Sequence, residues 1–243
     1  MKKLTTTGFL LIFLLLAIPC HASLVQHAAS SQGATPLTVT LGSAVTAGDT
    51  IVVGIAGDGV DTPPTGCKFA ATDNNSNSYS SSTLFNNSTL CVQVFWITAP
   101  TLSPNNPPTI TCADSAGDNH MWCDVAEFSS LTTNTDGNAG ATVTPTTSLS
   151  TSSITTTVTD TIFGFFADSG SATMSAGSGW NVIDSSNTNL HFVFEYNTGE
   201  AAGTYSATAS NTAADATWIG TILALKQTST VTGCGILCLG AGH

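Results

Sequence analysis

Few side chains in this sequence are placed to do chemistry, and their spacing narrows the choice. Glu127 and Glu195 each interrupt an apolar run, Val125-Ala126-Glu127-Phe128 and Phe192-Val193-Phe194-Glu195. Burial in such a run raises a carboxyl pKa, and two carboxyls, one acid and one nucleophile or base, are the machinery of a glycoside hydrolase. Asp124 does not extend that pair, because an odd offset from Glu127 along a regular strand sends the two side chains to opposite faces. The competing expectation is that Glu127 and Glu195 are structural and that no catalytic machinery is present. A serine hydrolase is disfavoured, since Ala176 and Trp180 occupy the glycine positions of a nucleophile elbow around Ser178. His120 and His191 lie well inside the chain, but no spacing ties them to an acid as a zinc site. His191 alternates with Phe192 and Phe194 and is expected to be an exposed strand residue.

Two further groups concern binding. Asp73, Asn75 and Asn77 present oxygens at alternate positions, like the opening of a calcium loop. Calcium takes roughly six to eight oxygens, and here a single carboxylate is offered, with Leu84 where a bidentate Glu would close the loop. An Asn/Asp-rich turn bonding to its own backbone is the expected structure, with calcium as the alternative cofactor. Asp114 and Asp118 form a weaker candidate of the same kind. Trp180 and Tyr79 stand beside turns and are the candidates for stacking on sugar rings. Trp96, Trp122 and Trp218 fall inside strands and are expected in the core. The Asn-x-Ser/Thr sequons at Asn74, Asn86 and Asn87 are chance matches in an Asn/Ser-rich chain.

Strands must position all of these. Apolar runs recur between Gly-, Asn-, Asp-, Ser- and Pro-containing turns, the pattern of an all-β sandwich. Expected strands are Leu24–Ala29, Leu37–Leu41, Thr50–Ile55, Cys67–Thr72, Thr89–Thr98, Thr109–Cys112 and Met121–Phe128. The second half adds Ile154–Val158, Thr161–Ala167, Asn181–Ile183, Leu190–Tyr196, Thr204–Ala209 and Thr217–Leu225. Alternation is clearest where Leu190, Phe192, Phe194 and Tyr196 share one face, and again at Ile51, Val53 and Ile55. The Thr/Ser-rich stretch from Leu131 to Thr159 reads as a long crossover plus an edge strand. No internal repeat is evident, so residues 23–226 are expected to form one β-sandwich, jelly-roll or Ig-like in layering, followed by a loosely ordered Cys/Gly tail at 227–243.

Charge limits the partners. Of 243 residues 8% are charged, with four Lys+Arg against fifteen Asp+Glu and a net charge of −11. There is no arginine, and Lys2 and Lys3 lie in the N-terminal segment, leaving Lys68 and Lys226. A nucleic-acid binder needs a Lys/Arg footprint to displace counterions, so none is expected here. With so few bases, most acids are expected to be solvated at turns and strand ends.

Met1–Ala22 reads as a cleaved signal peptide: a basic start, an apolar run from Gly8 to Ile18, and Cys20-His21-Ala22 before the expected cleavage. No later segment is long and apolar enough to span a bilayer. Without Cys20 six cysteines remain, an even number suited to an oxidising compartment. Local pairing is expected as Cys67–Cys91, Cys112–Cys123 and Cys234–Cys238. A tail zinc site from Cys234, Cys238 and His243 has only weak spacing support.

Several short strings then follow one another in an informative order: Ala47-Gly48-Asp49-Thr50-Ile51-Val52-Val53, Thr72-Asp73-Asn74-Asn75-Ser76-Asn77-Ser78-Tyr79 and Val125-Ala126-Glu127-Phe128-Ser129-Ser130-Leu131. Gly179-Trp180, Glu195-Tyr196, Ala202-Gly203-Thr204-Tyr205 and Ala224-Leu225-Lys226 complete the series. Together they resemble an uncharacterised family of secreted bacterial β-sandwich domains often joined to Ig-like modules. The resemblance implies the fold and export, and no activity. Ser76 and Ser130 depart from it, each standing where a turn glycine is expected. The functional expectation is a secreted or cell-surface, non-catalytic module that binds glycan or an extracellular protein. The alternatives are a polysaccharide-active enzyme using Glu127 and Glu195, and a purely structural surface component.

Overall fold

Alternating apolar strands build the centre of the molecule. The computed structural model describes residues 21–57, 67–87, 89–117, 119–143, 146–170, 173–188, 190–214 and 218–228. Nearly all of the expected leader, Asp118, and the tail with Cys234, Cys238 and His243 therefore lie outside the described residues. Described residues form strands and turns with no helix, in agreement with the all-β expectation.

A six-stranded antiparallel sheet runs in the order β1 (Leu24–Ala29), β9 (Met121–Phe128), β3 (Thr50–Gly57), β7 (Cys91–Thr98) and β5 (Ser80–Ser81), with β6 (Phe85–Asn86) also on β7. A five-stranded sheet runs β10 (Leu131–Val143), β19 (Trp218–Gln227), β13 (Asp160–Asp168), β16 (Leu190–Glu200) and β15 (Asn181–Thr188). Two three-stranded sheets have the orders β2 (Leu37–Thr40), β8 (Thr109–Asp114), β4 (Phe69–Asp73) and β11 (Ser148–Ser150), β18 (Thr208–Asn211), β14 (Met174–Ala176). The short strands β12 (Ile154–Thr155) and β17 (Thr204–Tyr205) pair with each other.

Three apolar clusters join these sheets. The central one holds Val52, Val94, Trp96, Ala126 and Phe128 of the six-stranded sheet against Phe163, Phe165, Phe192, Phe194 and Leu223 of the five-stranded sheet. The opposite face of the six-stranded sheet, Ile51, Val53, Ile55, Cys123 and Val125, packs on Val39, Ile110, Cys112 and Ala71 of the β2-β8-β4 sheet. The opposite face of the five-stranded sheet, Ile162, Phe166, Val193, Ile222 and Ala224, packs on Leu149, Met174 and Ala209 of the β11-β18-β14 sheet. Both wide sheets are thus covered on both faces, and their central strands read as continuous apolar runs with weak alternation of burial.

This layering revises two expectations. His191 is buried, 6% exposed, because the face of β16 opposite Phe192 meets the β11-β18-β14 layer instead of water. Among the described residues the acids are not mainly solvated: Asp114, Asp124, Glu127, Asp160, Asp168 and Glu195 are all buried. Trp96 and Trp218 are buried as expected, and Trp122 packs at the margin of the central cluster.

Strand order also exposes an internal duplication that composition conceals. The order β1-β9-β3-β7-β5 with β2-β8-β4 matches β10-β19-β13-β16-β15 with β11-β18-β14, element for element in chain order. Registers agree as well: Thr50 faces Phe128 and Thr98, and Thr161 faces Leu225 and Thr198. What survives in sequence is Asp49-Thr50-Ile51 against Asp160-Thr161-Ile162.

The expected disulfides Cys67–Cys91 and Cys112–Cys123 are both formed. The second ties β8 to β9, and so fastens the small sheet to the wide one.

Candidate functional site

Glu127 and Glu195 are buried as expected, but they are not brought together. Glu127 shares the face of β9 with Cys123 and Val125, toward the β2-β8-β4 layer, and Glu195 shares the face of β16 with Val193, toward the β11-β18-β14 layer. The central cluster lies between them.

Each has its own local role. Glu127 accepts hydrogen bonds from Gln26 Nε2 at 2.5 Å and from the Thr46 backbone N–H at 2.7 Å. Gln26 is itself clasped by Ser43, whose N–H and hydroxyl both donate to Gln26 Oε1 at 2.9 Å. The Asp49 carboxyl lies beside Glu127; burial, a hydrogen bond with Glu127 and the Glu127 charge together push it up to about 6. Glu195 accepts from the Gly177 N–H at 2.9 Å through Oε2, while Oε1 is buried without a partner. Burial, opposed by the backbone N–H groups of Gly177 and Thr208, pushes Glu195 up to about 8.

The Asp73 run folds as the expected turn. Asp73 accepts from the N–H groups of Asn75 and Asn77 at 2.9 and 3.1 Å, from Asn77 Nδ2 at 2.8 Å and from the Tyr79 hydroxyl at 3.1 Å. Asn75 pairs with Asn105, and Asn77 clasps the backbone of Thr101 on both sides. These oxygens organise the loop that carries Tyr79. Tyr79 and Trp180 are half-buried, packed on the outer cluster of the first half and of the second half respectively. Asp114 caps its own hairpin, accepting from the N–H groups of Lys68 and Ala116.

Sequence reasoning passed over a third constellation. His27 of β1, Asp124 of β9 and Asp184 of β15 bring one ligand atom each to within 4.8 Å of one another. His27 Nε2 is 3.8 Å from Asp124 Oδ1 and 3.6 Å from Asp184 Oδ2. The side chains of His27 and Asp184 are 33% and 28% exposed, and that of Asp124 is 1% exposed. Both Asp124 oxygens are buried without a hydrogen-bond partner. Burial, and then the nearby charge of Asp184, push the Asp124 carboxyl well above the ordinary aspartate range, against the opposing effect of the Val125 backbone N–H.

Two β-bulges aim this group. Register slips between Leu24 and Gln26 in β1, so that Leu24 packs on the central cluster, Gln26 turns outward to Glu127 and His27 returns to the inner side. Register slips again between Val182 and Asp184 in β15, which places Asp184 opposite Phe194. Bulges on edge strands commonly re-aim a side chain in this way. No sequence spacing could reveal the group, because its members come from positions 27, 124 and 184 on strands of two sheets.

No protein-family model, no curated protein and no solved structure matches the chain. Among the described residues no helix is long and apolar enough to cross a membrane.

Proposed function

We propose that the chain is an exported, non-catalytic extracellular module that binds glycan or protein through shallow contacts at its loops and sheet edges. The observation that carries this reading is the back-to-back placement of Glu127 and Glu195 on the outer faces of different wide sheets. Two carboxyls so placed cannot flank one glycosidic bond, which requires a separation of roughly 5–10 Å across a shared groove. The two disulfides are compatible with export, and the leader at Met1–Ala22 supplies the route. The layering of small sheet on wide sheet suits an all-β extracellular module. Tyr79 and Trp180, half-buried beside turns, supply the aromatic edges on which a sugar would rest.

The test is a panel of immobilised glycans probed with the full chain recovered from an exporting host. Binding to at least one glycan, weakened at least about tenfold by Tyr79→Ala or Trp180→Ala, supports the glycan reading. Binding unaffected by either change moves the site elsewhere. Hydrolysis of a polysaccharide, abolished by Glu127→Gln or Glu195→Gln, overturns the non-catalytic reading.

A further inference from the structure

We propose that His27, Asp124 and Asp184 bind one divalent transition-metal ion of the zinc class, clipping the edge of the six-stranded sheet to the edge of the five-stranded sheet. The inference stands apart from the glycan or protein reading and rests on different residues.

Asp124 is the decisive observation. Both Asp124 oxygens are buried without a hydrogen bond of ordinary geometry, the Val125 backbone N–H giving only a weak contact, and native proteins rarely leave a buried carboxylate so without a ligand or a specific charge nearby. Two ligand atoms from other strands lie close to Asp124: His27 Nε2 at 3.8 Å, and an Asp184 carboxylate oxygen within 4.8 Å, with Asp184 Oδ2 3.6 Å from the same His27 nitrogen. Asp184 Oδ1 is already engaged by the Ser185 N–H at 2.8 Å, leaving Oδ2 directed inward.

The duplicated half supplies an internal control. Asp124 faces Gly54 and Ala29, and its counterpart Thr221 faces Phe165 and Gly140 at the same point of the second wide sheet. Thr221 is equally buried but donates its hydroxyl to the Ala139 carbonyl at 3.1 Å. One half therefore satisfies this position within the sheet. The other carries a bare carboxylate, with a histidine and a second acid turned toward it by a bulge apiece.

Ligand chemistry selects the ion. One imidazole nitrogen and two carboxylates suit zinc and its first-row neighbours, whereas calcium requires about six to eight oxygens. Zinc bonds of roughly 2.0–2.1 Å place tetrahedral ligand atoms about 3.3 Å apart. The two separations from His27, 3.6 and 3.8 Å, need small shifts to reach that value, and the Asp124–Asp184 separation, within 4.8 Å, closes as the partly exposed Asp184 side chain moves in on the ion. Three protein ligands leave a position on the open side, where His27 and Asp184 meet solvent, for water or an oxygen of a bound molecule.

The experiment strips the full chain with chelator and titrates it with zinc chloride, by calorimetry and native mass spectrometry. His27→Asn and Asp184→Asn are the diagnostic variants, since both side chains are partly exposed and their metal-free melting temperatures report folding independently. The expected result is one zinc per chain, with affinity lowered at least tenfold in each variant, since even outer-shell changes at metal sites cost about 10–100-fold. Cobalt should give a visible ligand-field spectrum that His27→Asn abolishes. A Cys234→Ser/Cys238→Ser variant should bind as the parent does. The proposal is overturned by no uptake at about 100 times the protein concentration, by uptake that neither variant weakens, by uptake lost only with the tail cysteines, or by calcium displacing zinc at equal concentration.

Discussion

Ser76, Ala99 and Ser130 are the non-glycine residues with left-handed backbone among those described, with φ of 61°, 50° and 58°. A Cβ in that region costs roughly 1–2 kcal/mol, partly offset by the extra unfolded-chain entropy a glycine would bring. Ser76→Gly and Ala99→Gly, both exposed, should therefore each stabilise the protein by about 0.5–1 kcal/mol in chemical denaturation. An unchanged or lowered midpoint would show that the local turns relax on substitution. Two of the three, Ser76 and Ser130, were expected to stand at turn positions suited to glycine. Ala99 was not, since nothing in Thr98-Ala99-Pro100 marks its backbone. Glu195 leads to a prediction about pH. Its carboxyl is raised from 4.5 to about 8 in the folded protein. Between those values the unfolded chain has released this proton and the folded chain has kept it, so stability falls as pH rises across that window. The slope cannot exceed about 1.4 kcal/mol per pH unit for one group. Glu195→Gln should flatten the fall between pH 5 and 8, as read from urea midpoints at both values. Equal slopes in parent and variant would remove Glu195 as its source.

Strands were the most legible elements, and the direction of their faces the least. Leu24–Ala29 and Met121–Phe128 were placed to the residue, because apolar runs between turn residues mark a strand without reference to its neighbours. Which face meets water depends on the sheet laid over it, and no single strand encodes that; hence His191 was assigned to solvent. The stretch from Leu131 to Thr159 was read as a long crossover plus an edge strand without fixing the strand, since Thr, Asn and Gly show no alternation; the 13-residue β10 is the edge strand of its sheet. It is held by pairing along β19. Close packing between elements gives a sharper test. A methyl group added at Gly220 of β19 would lie 2.5 Å from Cδ1 of the fully buried Phe166 on β13. Gly220→Ala should therefore destabilise by about 1–3 kcal/mol, as overpacking does. A loss below about 0.5 kcal/mol would mean that the ring can move aside.

At the scale of the whole molecule, the two halves are legible only in the fold. Their shared Asp-Thr-Ile string is too short to announce a repeat, and strand order survives when side chains have diverged. The halves depend on each other through the central cluster, where Val52, Val94, Trp96 and Phe128 of one meet Phe163, Phe165, Phe192 and Phe194 of the other. Separated, each would expose a large apolar sheet face, which drives association. Residues 23–130 and 131–243 produced apart should aggregate or remain partly folded, and co-production should recover a soluble pair. Two soluble, fully folded monomeric halves would show that the central cluster is dispensable.

Both described disulfides fall in the first half, and the outer clusters differ accordingly. The first-half cluster is built largely from Val, Ile and Leu around Cys112 and Cys123, whereas the second-half cluster seats Phe166 against Trp218, with ring centroids 5.9 Å apart. The first small sheet is fastened to its wide sheet by covalent links, whereas the second is held by apolar contacts of Leu149, Met174 and Ala209 in the cluster that contains Phe166 and Trp218. Copies of the same architecture have thus come to differ in their sensitivity to the surrounding redox state. In a reducing milieu the outer layer of the first half would be the part to loosen, while the shared central cluster keeps its wide sheet against the second half.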